Sequence, residues 1–209
     1  MQINLQDLEM REAYKLLTGV IVPRPIGWVS TLNRNGVRNL APFSFFNGVS
    51  IVPPTVSVSI YNAPPGPGRT DGIKDTLRNI KTTGEFVVHI VSESLREAMN
   101  VTATDFPPDM DEFAMAGLEA VESEKVRPER IAEAAVAMEC RLHGLMPVGR
   151  GFGGATLIVG EVVLLHLRDD IVNERNHIDI HTLQPIARIG GPEYVFVRDT
   201  FTMDRPKYE

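Results

Sequence analysis

The sequence predicts a mainly β fold, an antiparallel barrel with short peripheral helices, and three observations carry that expectation. Residues 26–32 and 37–41 are rich in β-branched and aromatic side chains and flank an Asn33-Arg-Asn-Gly36 turn, the strongest hairpin signal in the chain. Residues 55–60 alternate polar and apolar side chains without a break, so Val56, Val58 and Ile60 share one face of a half-buried strand. Later, Val136, Met138, Cys140 and Leu142 alternate and residues 155–167 are apolar on both sides, giving two long strands. Parallel strands need crossover connections of a dozen or more residues. Strands that often follow one another this closely favour antiparallel pairing over a doubly wound sheet.

The remaining elements follow in order. A short helical start carries Asp7, Glu9 and Arg11 within residues 1–12 and has neither the basic start nor the apolar stretch of a signal peptide. After the first hairpin, Pro42 and Gly48 punctuate a loop crowded with small polar and aromatic residues. Pro53-Pro54 and the run Pro64-Pro-Gly-Pro-Gly68 bracket the next strand with loops. Ile73, Leu77 and Ile80 recur at helical spacing, with Thr70 or Asp71 available as N-cap. Residues 85–91 read as a core strand, and residues 94–101 as a helix built on Leu95, Ala98 and Met99 that Pro107-Pro108 closes off. The total is about six or seven strands and no internal repeat, which is consistent with one domain over residues 1–209.

Composition narrows the function classes. Hydrophobic residues make up 43% and charged residues 23% of the 209, the mix of a soluble globular chain with a sizeable core. With 21 Lys+Arg against 27 Asp+Glu the net charge is −6, and no basic cluster stands out, so neither nucleic acid nor a membrane surface is an expected partner. The most apolar segment, residues 155–167, is interrupted by Glu161 and is too short for a hydrocarbon layer of about 30 Å. Cys140 is the single cysteine, which excludes an intramolecular disulfide and a multi-thiolate zinc site and points to a reducing, cytoplasmic setting.

Several motifs compete for the chemistry. Gly149-Arg-Gly-Phe-Gly-Gly154 matches the dinucleotide fingerprint formally, but that motif works as a strand-to-helix turn and a strand follows here, so these glycines read as a connection between strands. His177, Asp179 and His181 fall at i, i+2 and i+4, which on an extended backbone would put three possible metal ligands on one face, but polar residues of an exposed connection explain them better. His89 reads as a satisfied core histidine and Cys140 as a small hydrophobe on an apolar strand. No Gly-x-Ser-x-Gly elbow is present. The densest signal is Asn39-Leu-Ala-Pro-Phe-Ser-Phe-Phe-Asn47, where amides and hydroxyls sit between aromatics in a stretch broken by proline. Such a segment can cradle a flat polar ring. It can equally cover the core, with Phe43, Phe45 and Phe46 buried and Ser44 and Asn47 capping the turn.

Taken together, three blocks in order resemble the flavin reductase-like, FMN-binding split-barrel family. They are Pro23-Arg-Pro-Ile-Gly-Trp-Val-Ser-Thr31; residues 39–47 with Ser50 and Pro53-Pro54; and Lys74-Asp-Thr-Leu-Arg-Asn-Ile80. Phe86-Val-Val-His-Ile90, Ile158-Val-Gly-Glu-Val162 and Arg188-Ile-Gly-Gly-Pro-Glu-Tyr194 are similar to the family's later landmarks, so the likeness spans about residues 20–200.

The resemblance implies a homodimer of split barrels with one FMN, in preference to FAD, per subunit. It implies phosphate donors at Ser30, Thr31, Lys74, Thr76 and Asn79, and groups along the isoalloxazine edge from Ala41, Phe43, Ser44 and Asn47. Arg24, Trp28, Asn39, Pro42, Phe46, Ser50 and Asp75 complete the implied cofactor-binding set, and Arg188 and Tyr194 are expected near a second substrate. The implied activity is hydride transfer from NAD(P)H to bound flavin and onward to a small-molecule acceptor or a redox partner protein, with no side chain acting as general acid. One departure stands out: short-chain reductases of the family carry Gly-Asp-His before the Gly-Glu-Val strand, where this chain has Gly153-Gly-Ala155. That substitution favours, as the alternative, a flavin-binding electron carrier without nicotinamide turnover of its own.

Overall fold

The computed structural model describes residues 1–64 and 71–208. Beyond a single 3₁₀ turn at Leu5–Asp7, the chain runs through α1 (Met10–Val20), β1 (Arg24–Pro25), β2 (Gly27–Leu32), β3 (Arg38–Phe43), β4 (Phe46–Ile51), β5 (Pro54–Tyr61), α2 (Asp75–Thr83) and β6 (Glu85–Ile90). Then follow α3 (Arg96–Val101), α4 (Glu112–Ala116), the short strands β7 (Ala120–Val121) and β8 (Arg130–Ile131), the long pair β9 (Val136–Val148) and β10 (Ala155–Leu167), α5 (Ile180–Leu183), β11 (Ile186–Arg188) and β12 (Tyr194–Phe196).

Seven strands form one antiparallel sheet in the order β3-β2-β6-β9-β10-β5-β4. Its two edges, β3 and β4, are consecutive in the chain and separated only by Ser44 and Phe45, so the sheet must curl until its edges approach. Gly27 shows how close they come: a Cβ there would lie 2.9 Å from the Phe46 ring. The result is a split barrel whose interior holds Val29, Phe46, Val58, Ile60, Phe86, Val88, Cys140 and Ile158. Gly160 is needed for the same reason, since a side chain on it would enter the Phe86 ring. Strand β2 is buried on both faces: Val29 points into the barrel, while Trp28 joins Leu40, Met99, Phe113 and Ile186 in a second core between the sheet, α3, α4 and β11.

The first hairpin closes as its sequence requires. Asn33 Oδ1 accepts from the N–H of Asn35 and Val37, and Gly36 takes φ +79°. The glycines after Val148 connect β9 to β10, and no helix follows them. His89 has no exposed surface; its Nδ1 lies 2.9 Å from the Trp28 carbonyl oxygen and its Nε2 accepts from Ile131 N–H at 3.1 Å. Burial lowers its pKa from near 6.5 to about 4, so it is neutral.

Four expectations change. The helical start lies later than residues 1–12, because α1 occupies Met10–Val20. The segment read as a loop after residue 41 is the end of β3 and the start of β4; Pro42 is tolerated because β3 is an edge strand. Helix α2 starts later than Thr70 or Asp71 would have set it, with Lys74 at the N-cap position, while Asp71 accepts from Ile73 N–H and pairs with Arg78. Thr70 and the proline-glycine run past Pro64 lie outside the described residues. The His177/Asp179/His181 triplet loses the extended backbone it needs, because Asp179 caps α5 through His181 N–H and Thr182 Oγ1; among the described residues no cluster of three metal-ligating side chains occurs. Among those residues, too, no helix is long and apolar enough to cross a membrane.

Candidate functional site

Edge strand β3, the Ser44-Phe45 connection, the start of α2 and the β11–β12 hairpin surround a two-part cleft. Its wider part, about 240 Å³, is bounded by Tyr14, Arg24, Pro42, Phe43, Ser44, Phe45, Lys74, Arg188 and Tyr194. The narrower part, about 160 Å³, continues past Asn39, Ala41, Asp75, Thr76, Thr102 and Glu112, and both parts share Pro42, Phe43, Tyr61, Lys74 and Ala103. Their combined size suits a small-molecule ligand.

The local chemistry explains why each part offers hydrogen-bond donors. Among the described residues, the N–H groups of Ser44 and Phe45 make no backbone hydrogen bond, because the chain leaves one sheet edge there before joining the other. Thr76, in the first turn of α2, has an N–H group without an intrahelical acceptor, since Arg78 N–H to Lys74 O is the first bond of the ladder. On β3 the Leu40 N–H leaves the sheet and donates to Glu112 Oε2. Antiparallel alternation then turns the Pro42 backbone outward too, where a missing N–H costs nothing, and directs those of Ala41 and Phe43 to β2. Ala41 and Phe43 therefore offer the cleft only surface, while Ser44 and Phe45 carry the N–H groups that have no backbone acceptor among the described residues.

A buried polar network braces the narrow part. Asn39 Oδ1 accepts from Thr76 Oγ1 at 2.8 Å and Thr31 Oγ1 at 3.1 Å, its Nδ2 donates to Glu112 Oε2 at 2.6 Å, and Asn79 Nδ2 donates to Thr31 Oγ1 at 2.9 Å. Lys74 Nζ lies 4.9 Å from the centre of the Tyr61 ring.

Arg24, 5% exposed, is committed on every side: Nη1 donates to the carbonyls of Thr18 and Ile21, Nη2 to that of Ile189, and Nε to Ser44 Oγ at 3.4 Å. Burial and the neighbouring Arg188 lower its pKa, against an opposing effect of Tyr14. Arg188 stacks on Tyr194 at 4.5 Å and donates to its hydroxyl and to Gly191 O.

Of the residues expected at a site, the cleft brings together Arg24, Asn39, Ala41, Pro42, Phe43, Ser44, Lys74, Asp75, Thr76, Arg188 and Tyr194. Seven lie outside it. Ser30 donates to Glu129 O, Trp28 Nε1 donates to Thr102 Oγ1 at 2.8 Å, and Thr31 and Asn79 bind each other one layer behind the wall. Phe46 is in the barrel core, and Asn47 and Ser50 lie on the exposed β4 edge, bonded to Gly48 N–H and Val52 N–H. Sequence reasoning missed Tyr14, Tyr61, Thr102 and Glu112. Only Glu112 left a local trace, following Asp111 at the start of a short helix whose N-cap Asp111 makes.

A further buried carboxylate, Glu139, does not border this cleft. It accepts from Glu124 N–H, Lys125 N–H and, at 2.6 Å, His166 Nε2. Burial acts to raise its pKa, but these bonds outweigh it and hold the carboxyl below its ordinary range.

Comparison with known proteins agrees with this architecture. The model of the flavin reductase like domain matches residues 20–185. An uncharacterized protein of Aquifex aeolicus is 41% identical over 93% of this chain and 95% of its own. Nitrilotriacetate monooxygenase component B from Bacillus cereus superposes with a TM-score of 0.90 at 36% identity, covering 97% of this chain and 98% of that one. The 2-nitrobenzoate 2-nitroreductase of Pseudomonas fluorescens gives 0.87 at 29% identity, over 99% and 96%. With its split barrel, its edge-strand cleft and these matches, the chain belongs to the flavin reductase like domain family.

Proposed function

We propose that the protein is an FMN-dependent oxidoreductase that takes hydride from NAD(P)H and passes electrons to an acceptor. The observation that carries this reading is the pairing of donors along one cleft: the N–H groups of Ser44 and Phe45, without a backbone acceptor among the described residues, in one part, the start of α2 in the other, and Lys74 bordering both. A flavin would supply the hydride-accepting centre. Toward it, Ser44 and Phe45 N–H would hold the carbonyl and nitrogen edge of the ring and stabilise negative charge gathering there. Pro42, Phe43 and Phe45 offer apolar surface that excludes water. The N–H of Thr76 at the start of α2, with the Lys74 ammonium, would form an anion site suited to a phosphate monoester, which favours FMN. Asn39, Thr31 and Asn79 fix the Thr76 side chain, so they act on the cofactor through Thr76.

The names of the similar chains, a monooxygenase component and a nitroreductase, support a redox role. A homodimer is part of the reading: the end of α1 and Ile21 after it leave Leu16, Leu17, Val20 and Ile21 exposed, and β4 leaves Val49 and Ile51, apolar side chains of the kind that a partner subunit covers. So is a cytoplasmic location, which the single, fully buried Cys140 fits.

One observation favours the electron-carrier alternative. Ala155, at the start of β10, is the register partner of the cleft residue Tyr61, so no titratable side chain stands at that position. Rapid mixing of the FMN-loaded protein with NADH and with NADPH separates the two readings. Bleaching of the flavin absorbance by either donor is expected, and its absence with both would replace the reductase by the carrier. Light scattering during size exclusion tests the dimer, which a monomer mass would contradict.

A further inference from the structure

Two arginines face each other across the β1–β11 pair: Arg24 and Arg188 are Cα register partners, and both border the wider part of the cleft. Like charges placed directly opposite on a strand pair destabilise it unless an anion lies between them. No carboxylate stands among the partners of Arg24 in the described residues, so its buried charge is answered by three backbone carbonyls and the Ser44 hydroxyl but by no anion. Arg188 is held in place by Tyr194 and Gly191 O, yet its Nε–H has no partner among the described residues. Lys74 borders the same space, and among the described residues no aspartate or glutamate does, although the chain as a whole carries a net charge of −6. The narrower part is different, since Asp75, Asp105 and Glu112 line it. An acid-free, three-cation corner in an acidic protein is a feature that the general surface charge does not produce.

Building on the flavin reading above, we propose that the Arg24–Arg188 corner is the subsite for the carboxylate of a flat, monoanionic second ligand that lies beside the flavin. Arg24, which spends four of its five N–H groups on Thr18 O, Ile21 O, Ile189 O and Ser44 Oγ, contributes mainly field. Arg188 contributes the free N–H edge, and the Tyr194 ring that stacks on it gives the guanidinium a fixed plane. The α2 N-terminus already answers the phosphate of FMN, which leaves this corner for a different anion.

Titration calorimetry of the FMN-loaded protein with sodium benzoate and with benzamide, its neutral isostere, tests this. Benzoate should bind about ten-fold tighter or better, with the advantage shrinking as salt rises. Arg188→Gln should abolish the preference and Arg188→Lys should keep part of it. Equal affinities, or a preference unchanged in Arg188→Gln, would overturn the proposal. If Arg188→Gln instead weakens FMN but not riboflavin, the corner serves the flavin phosphate, and the proposal fails while the flavin reading stands. Arg188-dependent binding of ADP-ribose without a benzoate preference would assign the corner to a diphosphate and overturn the carboxylate. If the wild type takes up no FMN, the flavin reading fails, and the benzoate comparison on the flavin-free protein still decides whether the corner selects a carboxylate.

Discussion

Asn39 and Thr76 meet side chain to side chain at 2.8 Å, joining the edge strand β3 to the first turn of α2. Through that bond the two parts of the chain that bound the narrow end of the cleft are held in one geometry. Asn39→Ala would remove the acceptor of Thr76 and Thr31 and one donor to Glu112. Leaving buried polar groups unpaired costs about 2 kcal/mol, so denaturant unfolding should show a loss of that order, with FMN affinity falling as α2 loosens. Unchanged stability would mean that water replaces the asparagine at no cost.

Lys74 is the N-cap of α2 and, among the described residues, the one cation shared by both parts of the cleft. Lys74→Ala should weaken FMN binding by about ten- to a hundred-fold, the worth of a charge-assisted contact, while riboflavin, which lacks the phosphate, should bind almost as before. Equal losses for FMN and riboflavin would place the lysine against the ring and not the phosphate.

His89 makes stability depend on pH. Its pKa is near 4 when folded against about 6.5 when unfolded, so between those values the unfolded chain binds more protons. Stability is therefore full above pH 6.5 and falls as pH drops toward 4, by about 3 kcal/mol in total. Urea unfolding of the wild type between pH 7 and pH 4 should show this, and His89→Gln should flatten it. Glu139, with its carboxyl held below the ordinary range, adds a separate loss at more acid pH, as the unfolded carboxylate takes up its proton first. A wild type and a His89→Gln variant with parallel pH profiles above pH 4 would contradict the assignment.

How far the sequence revealed this architecture depends on whether each signal was local. The β9–β10 pair was legible because alternation and a glycine connection lie side by side in the chain, and β10 runs over the same residues, 155–167, that the apolar pattern marks. The Asn33-Gly36 turn was legible for the same reason. Pro42 and Gly48 misled: proline and glycine usually punctuate loops, but they stand on β3 and β4, the two edge strands, where the outer side has no neighbour and both are tolerated. The cleft was half legible. Lys74, Thr76, Asn39 and Ser44 came from blocks of sequence, whereas Thr102 and Glu112 reach it only because α3 and α4 pack over β3. Ser30 and Asn79 show the reverse error, since their polar groups serve Glu129 O and Thr31 inside the protein. Glu139 was hidden because an alternating strand was read only for its apolar members.

Trp28 is fully buried, and its indole N–H depends on Thr102, which also borders the cleft. Thr102→Val keeps the shape and removes the acceptor, so stability should fall by about 1–3 kcal/mol. Chemical unfolding followed by tryptophan fluorescence reads this directly, and a variant as stable as the wild type would show that the indole finds another partner.

The central claim is that the cleft between β3 and α2 holds FMN. Titrating flavin-free protein with FMN and following visible absorbance and the bound stoichiometry tests it most directly. One FMN per chain at a Kd of about 1 μM or tighter is the expected result, and no uptake at micromolar concentration would contradict the account.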